Sequence, residues 1–250
     1  MIVLKTAREL VMMRNAGRIS QRALRLAGEA VEPGVTTAEI DRLVRQYIEK
    51  EGATPSFLGY GGFPGSACIS VNHVVIHGIP NKQTVLKKGD IVSIDVGACF
   101  EGFHGDNAWT FPCGDISREA QALLNATRES LFEAIKAAKA GARIGDVAST
   151  VQRYVEARSY SVVRDFVGHG VGAKLHEDPS VPNFGTPGRG VRLLPGMTIA
   201  IEPMINMGRA EVRILEDGWT TVTADRSLSA HFEHTIAITP DGPQILTLPD

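Results

Sequence analysis

The chain has 250 residues, of which 43% are hydrophobic and 22% charged, and its formal net charge is −2. That balance gives no support for binding to nucleic acid or to an anionic membrane, both of which call for a basic surface. Three cysteines without a CxxC pair disfavour a disulfide framework, and no apolar run reaches about 18 residues, so we expect a cytoplasmic protein without membrane contact.

The first half of the chain is predicted to open with two helices and continue with strands. Apolar positions recur at helical spacing over residues 6–29. Thr36 and Glu39 form a capping-box signature, which predicts a second helix that ends near residue 52. Residues 66–76 and 90–112 alternate or run apolar between Gly and Asp turns, which is typical of strands.

The second half repeats this order. Ser117 is a candidate N-cap for a helix that continues with apolar periodicity and is expected to stop at Gly141. A further helix is predicted over about residues 145–159. From residue 197 onwards the pattern indicates strands again, with hairpin signals such as "EDGW" at 216–219.

The two halves also align with each other. Residues 33–49 match residues 140–156 without gaps at an offset of 107, with Gly, Val, Tyr and Glu in common. Self-similarity of this kind predicts two related halves folded face to face. We therefore expect one domain over residues 1–250, with an internal repeat that covers approximately 30–115 and 137–240.

Four acids occupy matching places in this repeat. Asp95 aligns with Glu202 at the offset of 107. Asp106 aligns with Glu233 when 20 residues are added to that offset. Two like charges about 4 Å apart repel by roughly 4 kcal/mol at an effective dielectric constant of about 20, so four bare carboxylates would strongly oppose folding. Two divalent cations would neutralise them, and carboxylates that bridge such ions are a common arrangement.

A nitrogen ligand is available nearby. His169 stands between two glycines, and His176 follows seven residues later. Oxygen ligands with one imidazole suit Mn, Fe, Co or Zn better than Mg or Ca. Any one of the acids could instead cap a turn or end a solvated strand, but the set aligned by the repeat favours a metal site.

Several motifs resemble the type I methionine aminopeptidases of bacteria, and the resemblance extends over about residues 3–247. The motifs are "VIHGIP" (75–80), "IDVGACFEGFHGD" (94–106), "GHGVG" and "LHEDP" (within 168–179), "IEPM" (201–204) and "FEHT" (232–235). The resemblance implies the pita-bread α/β (α+β) fold, a pseudo-twofold pair of αβ halves with a curved antiparallel sheet and outer helices. It also implies a monomeric enzyme.

The same resemblance implies an activity and a ligand set. The expected activity is removal of the N-terminal methionine from nascent proteins when the second residue is small. A hydroxide activated by two divalent ions per chain (Co, Mn, Fe or Zn) would attack the scissile carbonyl, with Glu202 as the proton shuttle. The implied metal ligands are Asp95, Asp106, His169, Glu202 and Glu233.

Other residues are assigned to the substrate by the resemblance. His77 and His176 would contact the reacting part of the substrate and act in catalysis. The residues expected to line a methionine-sized pocket are Phe57, Tyr60, Phe63, Cys68, Leu175 and Trp219, and the alternative for each of them is plain core packing. The residues expected to hold a monovalent cation are Asn72, Val96 and Ser229.

Nascent polypeptide N-termini are the expected partners, and the ribosome is a further candidate partner. The alternatives within the fold are aminopeptidase P or prolidase, type II methionine aminopeptidases, and a binding protein that has lost its metals. The first usually carries a large extra N-terminal domain, for which this chain leaves no room. The second carries a long helical insertion, whereas only 25 residues separate His176 from Glu202 here. All five ligand positions hold residues that can bind a metal ion, which argues against a binding protein that has lost its metals.

Overall fold

The computed structural model describes residues 1–248, and the helices within this range account for the outer layer of the protein. They are α1 (Ala7–Glu29), α2 (Thr37–Lys50), α3 (Arg118–Ala137) and α4 (Ile144–Glu156). Among the described residues, no helix combines the length and the apolar character needed to cross a membrane.

Two of the four helix starts were predicted from capping residues. Glu39 accepts a hydrogen bond from the Thr36 backbone N–H at 2.8 Å, which confirms the capping box at the start of α2. Ser117 accepts from the Ala120 N–H at 3.1 Å and caps α3. The structure corrects the ends of two helices: α3 stops at Ala137 rather than at Gly141, and α4 stops at Glu156 rather than near 159.

The strands follow the helices in both halves of the chain. In the first half they are β1 (Thr54–Pro55), β2 (Cys68–Val71), β3 (Val74–Ile76), β4 (Ile91–Phe100) and β5 (Phe103–Pro112). In the second half they are β6 (Ser161–Val162), β7 (Gly168–Gly170), β8 (Glu177–Val181), β9 (Thr198–Ile201), β10 (Met204–Asn206), β11 (Val212–Ile214), β12 (Thr221–Thr223), β13 (Ser229–His231), β14 (His234–Thr239) and β15 (Gly242–Ile245).

These strands pair antiparallel. β4 pairs with β5 along one edge and with β2 and β1 in succession along the other. In the second half the order is β15-β14-β9-β7-β8, and two three-stranded sheets, β13-β10-β6 and β11-β12-β3, complete the arrangement. The fold is the mixed α/β pita-bread fold that the sequence predicts.

Each half has its own apolar core. Ile40, Val44 and Ile48 of α2 are fully buried with the inner residues of α1 and β4. In the second half, α3 and α4 bury their apolar faces against β9 and β14. Each half also has one isolated bridge at the corresponding place, Thr36 with Val85 in the first half and Arg143 with Arg192 in the second, and the two are related by the offset of 107.

The halves meet along β5 and β14. The Glu233 backbone N–H donates to the Ala108 carbonyl at 2.9 Å, and the Thr235 hydroxyl donates to the Asp106 carbonyl at 2.7 Å. These contacts place two of the predicted ligand residues, Asp106 and Glu233, at the junction of the halves.

Helix α1 lies unusually close to β5 because two glycines meet there. A Cβ atom added at Gly105 would lie 2.4 Å from the backbone N and Cα of Gly17. Neither side can move its backbone cheaply, so only glycine fits at residue 105. The contact fixes the strand that carries Asp106 against the outer helix.

Substitution of Gly105 is therefore expected to be costly. We predict that Gly105→Ala lowers the free energy of unfolding by roughly 3 kcal/mol, because overpacking meets backbone rather than a flexible side chain. Gly185→Ala is the matched control, since a Cβ there makes only ordinary contacts, with the Ala148 side chain at 3.4 Å and Gly145 Cα at 4.0 Å. Urea unfolding of both variants measures the difference, and equal stabilities would contradict the close-packing argument.

Candidate metal centre

Two of the acids lie on one face of the β4–β5 hairpin. In the register of this hairpin, Asp95 is opposite Ala108 and Asp106 is opposite Gly97. Residues 95, 97, 106 and 108 therefore share a face, and the acids are diagonal neighbours. Because residue 97 is glycine, Ser56 and the predicted pocket residue Phe57 can approach this face closely; a Cβ atom at Gly97 would lie 2.8 Å from each.

The other three predicted ligands come from the second half. His169 lies in β7, Glu202 directly follows β9, and Glu233 directly precedes β14. The His169 Nε2 atom lies 3.6 Å from Glu202 Oε1 and 3.8 Å from Asp106 Oδ2. One ligand atom each from Asp106, His169 and Glu233 all fall within 4.8 Å of one another.

His169 is oriented by its own backbone neighbour. Its Nδ1 atom lies 2.9 Å from the Gly170 carbonyl oxygen, so this nitrogen carries the ring proton and donates it. The lone pair of Nε2 is then directed towards the acids. A hydrogen bond of this kind on the far ring nitrogen is the usual way in which proteins orient a metal-binding histidine.

The carboxylates are buried without donors to satisfy them. Asp95 Oδ1, Asp106 Oδ1 and Glu233 Oε1 are buried and have no hydrogen-bond partner. Burial raises the pKa of Asp106 to about 7 and, together with the neighbouring acids, raises the pKa values of Asp95, Glu202 and Glu233 well above their usual range.

This donor set fits divalent metal ions. It consists of carboxylate oxygens, several of them orphaned, and one neutral imidazole; burial lowers the pKa of His169 to about 4. Protein hydrogen-bond donors that would otherwise compensate the negative charge are not directed at the orphaned oxygens. Divalent cations would supply that compensation, and the oxygen-rich set with one nitrogen suits first-row transition metals.

A cavity of about 270 Å³ joins these residues to the predicted substrate residues. It is lined by the five predicted ligands, both predicted catalytic histidines and all six predicted pocket residues. These are Asp95, Asp106, His169, Glu202 and Glu233; His77 and His176; and Phe57, Tyr60, Phe63, Cys68, Leu175 and Trp219. The structure thus brings together every one of the residues predicted for metal and methionine.

The two histidines are held in the cavity by different means. His77 has a backbone φ of 56°, a left-handed conformation that is unusual for a residue other than glycine, and its ring packs edge-on against Phe166 and Trp219. The His176 ring lies 4.0 Å from the His169 ring, and its Nδ1 is 2.8 Å from the Tyr60 hydroxyl. Burial lowers the pKa values of both His77 and His176, so both rings are neutral at pH 7.

Some residues of the site were not predicted from the sequence. Ile76, Phe166 and Val167 also line the cavity. His231 is buried, with its Nε2 atom 3.8 Å from Glu202 Oε2. Ile76, Phe166, Val167 and His231 each stand within three residues of a predicted site residue, and that proximity is the signal that could have identified them.

The predicted monovalent-cation site requires correction. Asn72 and Ser229 are in contact, since the Ser229 N–H donates to the Asn72 carbonyl at 2.9 Å. Val96 does not join them. Val71, the residue before Asn72, is paired with Val92 of β4. Val96 lies four residues beyond Val92 in the same strand, so it is roughly 13 Å from Val92 along the strand. The strand register therefore keeps Val96 away from any ion held by Asn72 and Ser229.

Comparisons with known proteins agree with this geometry. Residues 11–240 match the model of metallopeptidase family M24. A methionine aminopeptidase of Clostridium perfringens is 57% identical over 248 residues, which cover 99% of each chain. A crystal structure of the methionine aminopeptidase from Thermotoga maritima has a TM-score of 0.97, with 49% identity and 99% coverage of both chains. The prolidase of Pyrococcus horikoshii shares the fold at 22% identity and a TM-score of 0.80, and 64% of its chain is covered.

The raised pKa values predict how the metal-free protein responds to pH. Above about pH 4, where the carboxyl groups of the unfolded chain release their protons, the buried acids of the native state still retain theirs. The free energy of unfolding is therefore expected to fall as the pH rises through about 7, the pKa of Asp106. The buried histidines, whose pKa values are lowered, act in the opposite direction, but only below about pH 6.5.

Thermal unfolding of protein dialysed against EDTA, at about pH 6.5 and 7.5, measures this effect. We expect a lower Tm at the higher pH, and a smaller difference once saturating Mn²⁺ compensates the carboxylates. Asp106→Asn, which removes one of the titrating acids, should also reduce the difference. A metal-free Tm that rises between the two pH values would contradict the raised pKa values.

Proposed function

The chain belongs to metallopeptidase family M24 and, within it, to the bacterial methionine aminopeptidases, and from this membership we propose that it removes the N-terminal methionine from nascent polypeptides whose second residue is small. The observation that carries the proposal is the single cavity in which five metal-competent side chains adjoin an apolar pocket. A protein of this family is a metallo-aminopeptidase, and the cavity offers a place for both the ions and the first side chain of a peptide.

Asp95, Asp106, His169, Glu202 and Glu233 would hold two divalent ions. Asp106 and Glu233, at the junction of the halves, would contribute ligands from one half each. When bound, such ions polarise the scissile carbonyl and lower the pKa of a water molecule towards neutrality. The same ions offset the repulsion among the carboxylates.

Glu202 is the proposed proton shuttle. Its backbone carbonyl accepts a hydrogen bond from the Asn183 amide at 2.9 Å, and its side chain, 12% exposed, faces the cavity. Burial and the charge of Asp106 raise the pKa of Glu202, which favours proton uptake. A carboxylate oxygen of Glu202 would take the proton of the attacking water and deliver it to the leaving amine nitrogen.

The two histidines would act on the substrate itself. When His176 Nδ1 accepts a hydrogen bond from the Tyr60 hydroxyl, the ring proton of His176 is on Nε2. His176 can then donate from Nε2 to the oxyanion that develops on the scissile carbonyl. His77 would contact the scissile amide or the second residue, since it lies between Phe166 and Trp219 at the edge of the cavity.

The apolar part of the cavity would receive methionine. Phe63 and Trp219 meet edge to face with their ring centroids 5.3 Å apart, and Phe57, Cys68 and Leu175 are buried around them. Burial raises the pKa of the Cys68 thiol, so it remains neutral and contributes to an uncharged surface. A flexible thioether makes favourable contacts with such aromatic edges.

Loss of the His176 donor should reduce catalysis without loss of metal. We predict that His176→Ala lowers kcat by about 100-fold or more, because removal of a donor to a developing oxyanion has effects of that size. Hydrolysis of a Met-Ala-Ser peptide and metal analysis of the same samples give the two readouts. His73→Ala, at an exposed histidine outside the cavity, is the control. Loss of bound metal in His176→Ala would show that His176 has a different role.

Specificity is expected to depend on the size of the second residue. The His77 and Phe166 rings pack edge to face with their centroids 5.6 Å apart, and a second residue would have to fit beside them. Met-Ala, Met-Gly and Met-Ser peptides should therefore be cleaved and Met-Ile peptides cleaved poorly. Peptides that differ only at the second position measure this preference through kcat/KM. Equal cleavage of Met-Ala and Met-Ile would refute the size limit. Efficient removal of any residue before proline would favour an aminopeptidase P activity instead.

A further inference from the structure

A buried ion pair lies directly behind the turn that carries His176. The Lys5 ammonium contacts the Glu177 carboxylate, and the two side chains are only 3% and 10% exposed. Lys5 Nζ also donates to the Val3 carbonyl at 3.2 Å. Each charge is largely removed from water, so each depends on its partner for compensation.

The turn is folded tightly around this pair. Glu177 Oε1 accepts from the Lys174 N–H at 3.2 Å, and the Gly172 N–H donates to the Lys174 carbonyl at 3.0 Å. A Cβ atom at Gly172 would lie 2.4 Å from Glu177 Oε1 and 2.6 Å from Lys5 Nζ. The ion pair thus occupies the space that a side chain at residue 172 would need.

Lys5 also ties the turn to a different part of the fold. Its backbone N–H donates to the Gly196 carbonyl at 2.7 Å, in the loop that leads into β9 and Glu202. Residues of the turn, in contrast, include Leu175, which lines the apolar cavity, and His176, whose ring lies 4.0 Å from that of His169. Lys5 therefore connects the loop before one predicted ligand with the turn that carries the predicted donor.

We propose that Lys5 and Glu177 are positioning residues for His176. Their ion pair fixes the turn of residues 172–177, and with it the distance of the His176 ring from the metal ligands and the substrate carbonyl. The Tyr60 hydroxyl orients the ring from the cavity side, whereas the ion pair sets the backbone from behind. The inference rests on the proposed function for its catalytic consequence.

The first test is Lys5→Met, which removes the charge and keeps most of the side-chain length. We expect kcat for Met-Ala-Ser to fall about 10-fold or more, with KM and metal content little changed, because small displacements of a catalytic group have effects of this order. Lys88→Met, which breaks the exposed Lys88–Asp115 pair, is the matched control. Glu177→Gln removes the same pair from the other side with little change in volume, and it should reproduce the effect.

The second test separates positioning from general stability. In a His176→Ala background, Lys5→Met should have no further effect on kcat, because the group that it positions is gone. Additive losses would overturn the proposal, as would loss of metal in both Lys5→Met and Glu177→Gln, or unchanged kcat in both.

The third test does not depend on activity. In metal-free protein labelled at the histidine rings, the His176 signal, assigned by its absence in His176→Ala, should shift in Lys5→Met and in Glu177→Gln but not in Lys88→Met. An unshifted signal in both pair variants would overturn the proposal. If the wild-type enzyme failed to cleave Met-Ala-Ser while this signal still shifted, the proposed function would be wrong and the positioning role would stand.

Discussion

The mutual repulsion of four buried carboxylates is the constraint on which the rest of the structure depends. Asp95 and Asp106 come from one hairpin, and Glu202 and Glu233 come from the other half of the chain. Without bound metal, these acids have raised pKa values, and several of their oxygens have no hydrogen-bond partner. Both features show that the charged carboxylates destabilise the folded state. Divalent cations bound there would turn the same arrangement into a source of cohesion between the halves, because acids from both halves would hold them.

The fold meets this constraint by close packing around the site. Glycine at residue 105 allows α1 to approach β5, and glycine at residue 97 allows Ser56 and Phe57 to pack against β4. A strand next to one that carries an acid also contributes to the predicted substrate pocket. Cys68 of β2 is paired with Asp95 of β4, so the pocket wall and the metal ligand are neighbours across one strand pair. Metal chemistry and recognition of the first side chain therefore share a rigid frame.

The sequence predicted much of this arrangement, for physical reasons that can be stated. The helix starts follow from local capping residues such as Thr36 and Ser117, whose partners lie three residues away. The acids of the cavity stand out because charged residues in apolar strands need compensation, whereas His77 and His176 were identified from the motifs around them. The misplaced Val96, by contrast, shows the limit of motif matching, since only the register of β4 reveals its distance from Asn72. Contacts between distant segments, such as Tyr60 with His176 and Lys5 with Glu177, leave no local periodicity and required the structure.

The central claim is that the cavity holds divalent ions through residues of both halves. Equilibrium dialysis of the metal-free protein against Mn²⁺, with the bound metal counted per chain, tests it most directly. The account predicts two ions per wild-type chain and loss of binding when the proposed ligand Glu233 is changed to Gln. Wild-type protein that binds no Mn²⁺, or Glu233→Gln protein that binds as many ions as the wild type, would contradict it.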